Sequence, residues 1–260
     1  MQPRVIRNIM VDINGCLQGP TPVELHLALP ELWRFINRTR NDGPFLMGAC
    51  SGREMSYVRG ALHLLGSPKG WSIYESGLGI FNVIEERWIE NPRITQEVRE
   101  IFQQELVARV RRILSRYPGM VRLYKGNELH FALELTPQAT FSIEHFHTAI
   151  QEDLKDLFSQ GLLRARHSDD TEDLTAPGID KGAGILQIQD ITGIPKEEML
   201  GVGDTDGDLP MLELVGFAGC PNNASAACKE SVNNKGGNGY ISSYDYAQGV
   251  VDIMRHFTGV

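Results

Sequence analysis

The sequence predicts an α/β fold in which a Rossmann-like parallel sheet, wrapped by helices, is interrupted by an inserted α+β domain. First, short apolar runs alternate with amphipathic stretches before residue 84, which is typical of strand–helix–strand units. Second, this alternation returns after residue 176. Third, the segment between contains two amphipathic helices and strands of the hairpin type. We therefore assign residues 1–84 and 176–260 to the α/β domain and residues 85–175 to the insertion.

The N-terminal part of the chain alternates between predicted strands and helices. The strands are apolar runs that end in small or polar residues, and the helices repeat apolar residues at helical spacing. In the first helix these are Leu32, Phe35 and Ile36, and Gly43 lies just beyond its end. In chain order the runs are VIRNIMVDI (strand), PELWRFINRTRND (helix), PFLMGACSG (strand), REMSYVRGALHLLG (helix) and WSIYESGLGIFNV (strand, turn and strand).

The inserted segment has a different pattern. Two long amphipathic stretches predict helices, and two runs with central turn residues predict hairpins or a strand. In order these are ITQEVREIFQQELVARVRRILSRY (helix), MVRLYKGNELHFALEL (hairpin with KGN as the turn), SIEHFHTAIQEDLKDLFSQG (helix) and LLRARHSDDTEDLTAPG (strand or hairpin with an acidic turn).

After the insertion the α/β pattern returns. KGAGILQIQDITGI predicts a helix, EMLGVGD a strand and DLPMLELVG a further helix. Close to the C-terminus, VNNKGGNGY is rich in glycine and asparagine and predicts a loop.

Composition restricts the class of protein. The chain has 260 residues, 42% of them hydrophobic, which is enough for a sizeable core. Its net charge of −8 and the lack of a basic stripe disfavour a nucleic-acid partner. No signal-like run, long apolar span or CxxC pair occurs, so we expect a cytoplasmic protein with reduced thiols, no membrane partner and no zinc knuckle. A monomer and a dimer both remain open.

Polar residues lie where strands of the predicted sheet end. Asp12 ends the first strand, Ser51 follows the second, Asp204 follows the strand in EMLGVGD, and Lys181 begins the helix before it. In an open α/β sheet, ligands bind beyond the carboxyl ends of the strands, so these residues are expected to converge. Taken singly, each is more often a turn, a helix cap or a solvated side chain.

Four stretches in this order resemble the motifs of the haloacid dehalogenase superfamily: VDINGCL, CSGRE, DKGAG and GVGDTDGDLPML. The subgroup that the chain most resembles is the Cof-type (subclass IIB) phosphatases, which carry a C2-type cap domain after the third strand. IYESGLGIF is similar to the stretch that precedes the cap in that subgroup. The motifs cover the flanking α/β domain, whereas the insertion matches the cap by position and size.

The resemblance implies a phosphatase that uses Mg²⁺ and an aspartyl-phosphate intermediate. Asp12 would be both nucleophile and metal ligand, because an anionic carboxylate can attack a phosphoryl group only where a cation offsets their repulsion. The backbone carbonyl of Asn14 and the carboxylate of Asp204 would complete the protein ligands, and Asp208 would hold a metal-bound water. The substrate would be a sugar phosphate, a phosphoglycerate derivative or phosphoglycolate.

The same resemblance implies a phosphate cradle on the chain. The Ser51 hydroxyl and the backbone N–H of Gly52 would donate to phosphate oxygens, and Lys181 would stabilise the transition state. Arg53 follows them and faces either the substrate or the solvent. In the insertion, polar loop residues are candidates for leaving-group contacts, although ordinary solvation is the favoured explanation for most of them: Lys125, Asn127, His130, Arg164, Arg166 and His167.

Asn14 departs from the family pattern, which has a second aspartate there as general acid and base. An amide cannot shuttle a proton at neutral pH, and such catalysis contributes about 10²–10⁴-fold. The chain is then a variant whose acid has been replaced, a natural enzyme that handles a good leaving group or uses another acid, or a non-catalytic binder of phosphorylated ligands. Of these we expect a phosphatase scaffold whose turnover is impaired by Asn14. A phosphomutase on the same scaffold is a further alternative. Gly207 and Cys16 also differ from the usual asparagine and threonine.

Overall fold

The computed structural model describes residues 5–40, 43–168 and 170–259. It contains an eight-stranded sheet with helices on both faces and a separate four-stranded sheet formed by the middle of the chain. The predicted α/β class with a parallel-rich central sheet is confirmed. Within the described residues, every helix is too short or too polar to cross a bilayer.

Strands and helices alternate along much of the described chain. The strands are β1 (Asn8–Asp12), β2 (Leu46–Cys50), β3 (Trp71–Tyr74), β4 (Gly79–Asn82), β5 (Arg87–Glu90), β6 (Val121–Leu123), β7 (His130–Leu135), β8 (Arg164–His167), β9 (Thr171–Thr175), β10 (Met199–Val202), β11 (Phe217–Cys220) and β12 (Gly239–Ile241). The helices are α1 (Pro22–Arg40), α2 (Met55–Leu64), α3 (Gln96–Glu100), α4 (Val107–Ser115), α5 (Ile143–Asp153), α6 (Lys155–Ser159), α7 (Lys181–Thr192), α8 (Leu209–Leu214), α9 (Ala226–Asn233) and α10 (Tyr246–Thr258).

The large sheet has β1 near its centre. Its order is β12-β11-β10-β1-β2-β3-β4-β5, parallel from β12 to β3 and antiparallel at β4 and β5. On β1, Ile9 and Val11 belong to the core that also contains α1 and α10, whereas Met10 belongs to the core that contains α7, α8 and α9. Because successive side chains of a strand point to opposite faces, β1 is buried on both.

The small sheet is antiparallel, in the order β6-β7-β9-β8. The alternation of each strand directs one set of side chains to a core with α4, α5 and α6. In β7 this set includes Phe131 and Leu133, and the intervening His130, Ala132 and Glu134 line a cavity. The division of the chain into 1–84, 85–175 and 176–260 stays a proposal; the large sheet itself extends to Glu90 through β5.

Three predicted elements differ from the structure. The helix predicted from Pro30 begins at Pro22 and continues through Pro30. Its additional N-terminal part is held by Leu25 and Leu29, which pack on the core. The last two residues of the predicted helix, Asn41 and Asp42, lie outside the described residues. The predicted 94–117 helix contains a π-helical segment between α3 and α4. The loop predicted in VNNKGGNGY ends in β12, because Gly239 and Tyr240 pair with β11.

The loop before β7 is hydrogen-bonded to the loop after β3. The buried Glu75 carboxylate accepts through one oxygen, Oε2, from the backbone N–H groups of Glu128 (2.8 Å) and Leu129 (2.9 Å). Asn127 Nδ2 donates to the Gly52 carbonyl at 2.9 Å, beside the predicted phosphate cradle. Glu75 also has a left-handed backbone, with φ of 43°, a strained conformation for a non-glycine residue. These bonds fix the insertion's loop against the α/β domain.

Glu75→Gln is expected to reduce the pH dependence of stability. Burial raises the pKa of Glu75 to about 7, although hydrogen bonds from Leu129 and Glu128 oppose the rise. The folded state therefore holds a proton that the unfolded state releases above its ordinary pKa of 4.5, and the free energy of unfolding falls as pH rises from there to about 7. A glutamine oxygen can accept the same two bonds without the charge.

Denaturant unfolding at about pH 5 and about pH 8 measures this effect, and the difference between them should shrink by about 1–3 kcal/mol in Glu75→Gln. Glu97→Gln, on the exposed side of α3, should leave the difference unchanged. An undiminished difference in Glu75→Gln would show that Glu75 is not protonated in this range.

Candidate active site

Strand register brings the predicted site residues together. Val11 lies opposite Val202 in the parallel pair β1–β10, and Asp12 lies opposite Cys50 in β1–β2. Asp12 at the end of β1 therefore neighbours Asp204, two residues beyond β10, and Ser51, one residue beyond β2. All three side chains are buried. Convergence at this sheet edge agrees with the expectation from the sequence.

Lys181 connects two of the carboxylates. It is the first residue of α7, a helix capped by Asp180, whose carboxylate accepts from the Ala183 N–H at 2.9 Å. The Lys181 ammonium donates to Asp12 Oδ1 at 2.7 Å and to Asp208 Oδ1 at 2.6 Å. These three residues are at most 5% exposed, so water screens the ion pairs little.

Asp208 also fixes the loop that follows β10. Its Oδ2 accepts from the backbone N–H groups of Asp204 (3.0 Å) and Thr205 (3.1 Å). Asp208 therefore contacts Lys181 and the loop backbone, and it lies outside the carboxylate and thiol group that could hold an ion. Its predicted contact with a metal-bound water stays a proposal.

Asp12, Cys16 and Asp204 form a group that could hold a metal ion, since their ligand atoms lie within 4.8 Å of one another. The two carboxylates supply the hard oxygen ligands that Mg²⁺ prefers, so the residues fit this ion. Cys16 Sγ donates to Asp204 Oδ1 at 3.5 Å. Gly15 (φ 87°) makes the approach possible, because a Cβ there would lie 1.9 Å from Asp204 Oδ2.

The site has more negative than positive charge. Three buried carboxylates, on Asp12, Asp204 and Asp208, face the Lys181 ammonium. Burial raises the pKa of Asp12 to about 7 even though Lys181 opposes the shift, and burial together with the Asp12 charge raises the pKa of Asp204 to about 8. Burial disfavours the Lys181 ammonium, but Asp12 and Asp208 outweigh it and hold its pKa well above the ordinary value. A divalent cation would offset the excess charge.

The side chain of Asn14 is held by neighbours that the sequence did not indicate. Asn14 Nδ2 donates to the Tyr57 hydroxyl oxygen at 3.0 Å, and the Tyr57 hydroxyl donates to Gln18 Oε1 at 2.6 Å. Tyr57 lies on α2, whose helical spacing gave no sign of this contact. The predicted metal contact of the Asn14 backbone carbonyl stays a proposal.

Ser51, Gly52 and Arg53 form the loop between β2 and α2. Ser51 Oγ accepts from the Arg53 N–H at 3.2 Å, which leaves its own hydroxyl proton for a ligand. The Arg53 guanidinium lies over the Tyr124 ring at 3.9 Å and approaches Glu134 at 3.7 Å. Arg53 is thus held towards the insertion. These contacts join the loop that was predicted to bind phosphate to two residues of the insertion.

A cavity of about 220 Å³ lies between the two sheets. Asp12, Asn14, Gly52, Arg53 and Lys181 line it. Of the insertion candidates, those that line it are Asn127, His130, Arg164, Arg166 and His167; Lys125 is not among the lining residues.

Several lining residues were not predicted from the sequence, notably Glu134, Asp173 and Asp180. His130 is buried, and its Nε2 lies at hydrogen-bond distance, 2.7 Å, from Asp173 Oδ1. Asp173 and Glu134 could have been found from the alternation of β7 and β9, since one polar face of these strands had to lie away from the apolar core.

Comparison with known proteins supports the interpretation of the motifs. The haloacid dehalogenase-like hydrolase family matches residues 132–254. A phosphoglycolate phosphatase of Thermoplasma volcanium is 36% identical over 80 residues, and that match spans 31% of this chain and 33% of the relative. A phosphoglycolate phosphatase of Methanosarcina acetivorans is 24% identical over 247 residues, 95% of this chain and 94% of the relative. The chain thus spans about a third of the first relative's length and nearly all of the second.

Solved structures share the fold. A haloacid dehalogenase-like hydrolase from Bacteroides thetaiotaomicron superposes with a TM-score of 0.70 at 16% identity, over 97% of this chain and 100% of that one. The sucrose-phosphatase of Synechocystis superposes with a TM-score of 0.67 at 16% identity, over 97% and 98%. Four motifs in order and a family match over residues 132–254 make the chain similar to the haloacid dehalogenase-like hydrolases, whose fold it shares.

Proposed function

We propose that the chain is a Mg²⁺-dependent phosphatase that hydrolyses a small phosphorylated metabolite through an aspartyl-phosphate intermediate. The observation that carries this proposal is the buried cluster of Asp12, Lys181, Asp204 and Asp208 at one end of the cavity. Such a cluster combines a carboxylate nucleophile with the cationic groups that phosphoryl transfer requires.

Each residue has a role that its contacts support. Lys181 holds Asp12 Oδ1, which orients the carboxylate so that its other oxygen can attack phosphorus. The Ser51 hydroxyl and the Gly52 N–H donate to the phosphate oxygens, and Arg53 adds a positive charge to the wall of the cavity beside them. Asp12 and Asp204 would hold Mg²⁺, with the Asn14 carbonyl. The bound ion would supply positive charge that offsets the repulsion between carboxylate and phosphate.

The substrate is proposed to be small and polar. A cavity of about 220 Å³ lined by arginines and carboxylates suits a compact molecule with hydroxyl or acid groups. The relatives are named phosphoglycolate phosphatases, and one structural neighbour is a sucrose-phosphatase. Phosphoglycolate, phosphoglycerate derivatives and sugar phosphates are therefore the first compounds to test.

Incubation of the purified chain with these phosphates and Mg²⁺, followed by detection of inorganic phosphate, tests the proposal. Conversion to an isomeric phosphate without release would indicate a phosphomutase. Binding without release would indicate the non-catalytic binder that Asn14 allows. Release of inorganic phosphate from at least one small phosphate is the expected result.

Mg²⁺ is expected to stabilise the folded chain, because it offsets the excess of buried carboxylates. A ligand present at about 100 times its Kd adds about 2.7 kcal/mol to the free energy of unfolding, which appears as a higher midpoint in thermal unfolding. Asp204→Asn should lose most of this shift. Asp206→Asn, an exposed change in the same loop, should retain it; a full shift in Asp204→Asn would contradict the proposed ligand.

A further inference from the structure

His130 brings an imidazole of the insertion to the proposed phosphate cradle. It is the first residue of β7 and lines the cavity. A Cβ built on Gly52 would lie 3.2 Å from its Cε1 and 3.6 Å from its Nδ1, so the ring packs directly on the Gly52 backbone. Its Nδ1 is buried and forms no hydrogen bond with any of the described residues. This nitrogen is therefore available to a group that binds in the cradle.

The loop that leads into β7 fixes the position of His130. Asn127 Nδ2 donates to the Gly52 carbonyl at 2.9 Å. The two backbone N–H groups that follow donate to the Glu75 carboxylate at 2.8 Å and 2.9 Å. Three consecutive residues of the insertion thus bond to the α/β domain directly before His130. These bonds hold the imidazole beside the cradle although it belongs to the small sheet.

Asp173 orients the imidazole and favours its charged form. His130 Nε2 lies 2.7 Å from Asp173 Oδ1, so the carboxylate accepts the Nε2 proton and leaves Nδ1 to exchange a proton with a ligand. Burial lowers the pKa of His130, but the charges of Asp173 and Glu75 outweigh burial and hold this pKa above its ordinary value of 6.5. Arg164 lies farther away, across Thr175 in the same row of the small sheet. At neutral pH a substantial share of the ring therefore carries a proton on Nδ1.

Three groups on the α/β side of the cavity do not supply such a proton. The Asn14 amide has none that it can transfer at neutral pH. The Tyr57 hydroxyl, to which Asn14 Nδ2 donates, directs its own proton at Gln18 Oε1, 2.6 Å away. The Lys181 ammonium donates to two buried carboxylates at 2.7 Å and 2.6 Å. An acid for the leaving group has to come from elsewhere.

Displacement at phosphorus directs the leaving oxygen towards the insertion. The attacking and leaving oxygens lie roughly in line through phosphorus. Asp12 would attack from the end of β1, at the edge of the large sheet. The leaving oxygen then points away from that sheet and towards the small sheet, to which His130 belongs.

We propose that His130 is the catalytic acid and base of this reaction and that Asp173 is the residue that positions it. This proposal rests on the proposed phosphatase function and adds to it the proton carrier that Asn14 cannot be. A positioned acid contributes about 10²–10⁴-fold where an alkoxide leaves. The impairment expected from Asn14 is then partly offset, and phosphoglycolate and sugar phosphates remain suitable substrates.

The two steps balance with one shuttled proton. In the first, an Asp12 oxygen bonds to phosphorus while the phosphorus–oxygen bond to the leaving group breaks. The electron pair of that bond takes the proton from His130 Nδ1, and the leaving group departs as an alcohol. In the second, water attacks phosphorus and gives a proton to the neutral Nδ1, while the bond to Asp12 breaks and its electrons return to the carboxylate. Inorganic phosphate leaves and the imidazolium is restored.

Leaving groups of unequal basicity test the proposal, with Mg²⁺ present. Benzyl phosphate leaves as an alkoxide that needs a proton, whereas p-nitrophenyl phosphate is similar in size and leaves as a stable phenolate. The parameter is kcat/KM, which covers the steps up to loss of the leaving group. His130→Gln keeps a donor for Asp173 but cannot shuttle a proton. It should lower kcat/KM for benzyl phosphate by about 10²–10⁴-fold and for p-nitrophenyl phosphate by less than about tenfold.

His145→Gln is the matched control, because His145 is exposed on α5 of the insertion; it should change neither value. An alkyl phosphate found in the metabolite screen should show the same loss as benzyl phosphate in His130→Gln. Equal losses with both leaving groups, or no loss with either, would overturn the proposal, because His130 would then only bind phosphate, support the fold or play no part. Without phosphate release from any compound by the unmodified chain, the proposed function is refuted and this proposal with it.

Asp173→Asn tests the positioning role through pH dependence. The ratio of kcat/KM for benzyl phosphate to that for p-nitrophenyl phosphate cancels titrations that affect both compounds alike, including those of Asp12 and Asp204. This ratio should fall as pH rises and the imidazolium is lost. Asp173→Asn removes a charge that raises the pKa of His130, so the fall should begin about one pH unit lower or more. A fall at an unchanged pH would overturn the role of Asp173.

The covalent intermediate provides a second measurement. After acid quenching during turnover of p-nitrophenyl phosphate, mass spectrometry should find one added phosphoryl group on the unmodified chain. More of it should accumulate in His130→Gln, because the water attack loses its base while loss of the phenolate is little affected. A smaller amount in His130→Gln would contradict the role of His130 as base.

Discussion

Replacing Asp12 with asparagine is expected to lower phosphate release by about 10⁴–10⁶-fold, because an amide oxygen is a poor nucleophile and covalent catalysis cannot start. The loss should appear with every substrate that the unmodified chain hydrolyses. It should also abolish the phosphoryl mass on the acid-quenched chain, a result that a slower but intact mechanism would not give.

The folded state of Asp12→Asn should be preserved, which separates loss of chemistry from loss of structure. Asp12 is one of three buried carboxylates around one ammonium, and burial raises its pKa to about 7. Removing its charge reduces the excess, so the metal-free variant should be at least as stable as the unmodified chain above about pH 7.

Asp190→Asn is the matched control for this change, since Asp190 lies exposed on α7. It should retain phosphate release and the phosphoryl mass. Residual activity above about 10% of the unmodified level in Asp12→Asn would remove Asp12 from the role of nucleophile.

The convergence of the cluster was predictable from the sequence. Asp12, Ser51 and Asp204 each follow an apolar run that could only be a buried strand, and parallel strands bring their carboxyl ends to one edge. The position of Lys181 was predictable for the same reason, because it is the first residue of a helix that starts at that edge. Local signals were sufficient because each of these residues is placed by the end of its own element.

Contacts between separate segments were not predictable in this way. The Asn14–Tyr57 bond joins a loop to the first turn of α2, and the Glu75 bonds join a strained turn to a loop in the insertion. Hydrophobic periodicity locates helices and strands but does not indicate which polar side chains meet across them. The strand at Gly239–Ile241 was not predicted for a different reason: the glycine-rich sequence around it is typical of a loop.

Two predicted features, the nucleophile and the metal, depend on the charge balance of the site. Two observed features depend on it as well: the orientation of Asp12 by Lys181 and the fold of the loop after β10. Asp208 links the last two, since one oxygen holds Lys181 and the other holds the Asp204 and Thr205 N–H groups. A change at Lys181 should therefore alter stability as well as catalysis, unlike the change at Asp12.

Lys181→Met is expected to lower the free energy of unfolding by about 3–5 kcal/mol, the usual cost of removing one partner of a buried ion pair. Methionine has a similar length and flexibility, so the packing volume is largely kept. Asp12 and Asp208 would then face each other, buried, without their shared cation. Denaturant unfolding measures the loss, and Lys155→Met, an exposed change at the start of α6, should stay within about 0.5 kcal/mol.

The pH dependence of the Lys181→Met loss identifies its cause. Without the ammonium, the two carboxylates favour protonation in the folded state and bind protons that the unfolded state releases above about pH 4. The free energy of unfolding should therefore fall as pH rises, and the deficit should be larger at about pH 8 than at about pH 5. Adding Asp208→Asn to Lys181→Met should recover part of the deficit at the higher pH, because one buried charge is gone. A deficit that is the same at both pH values and is not reduced by Asp208→Asn would mean that lost packing, rather than unpaired charge, destabilises the variant.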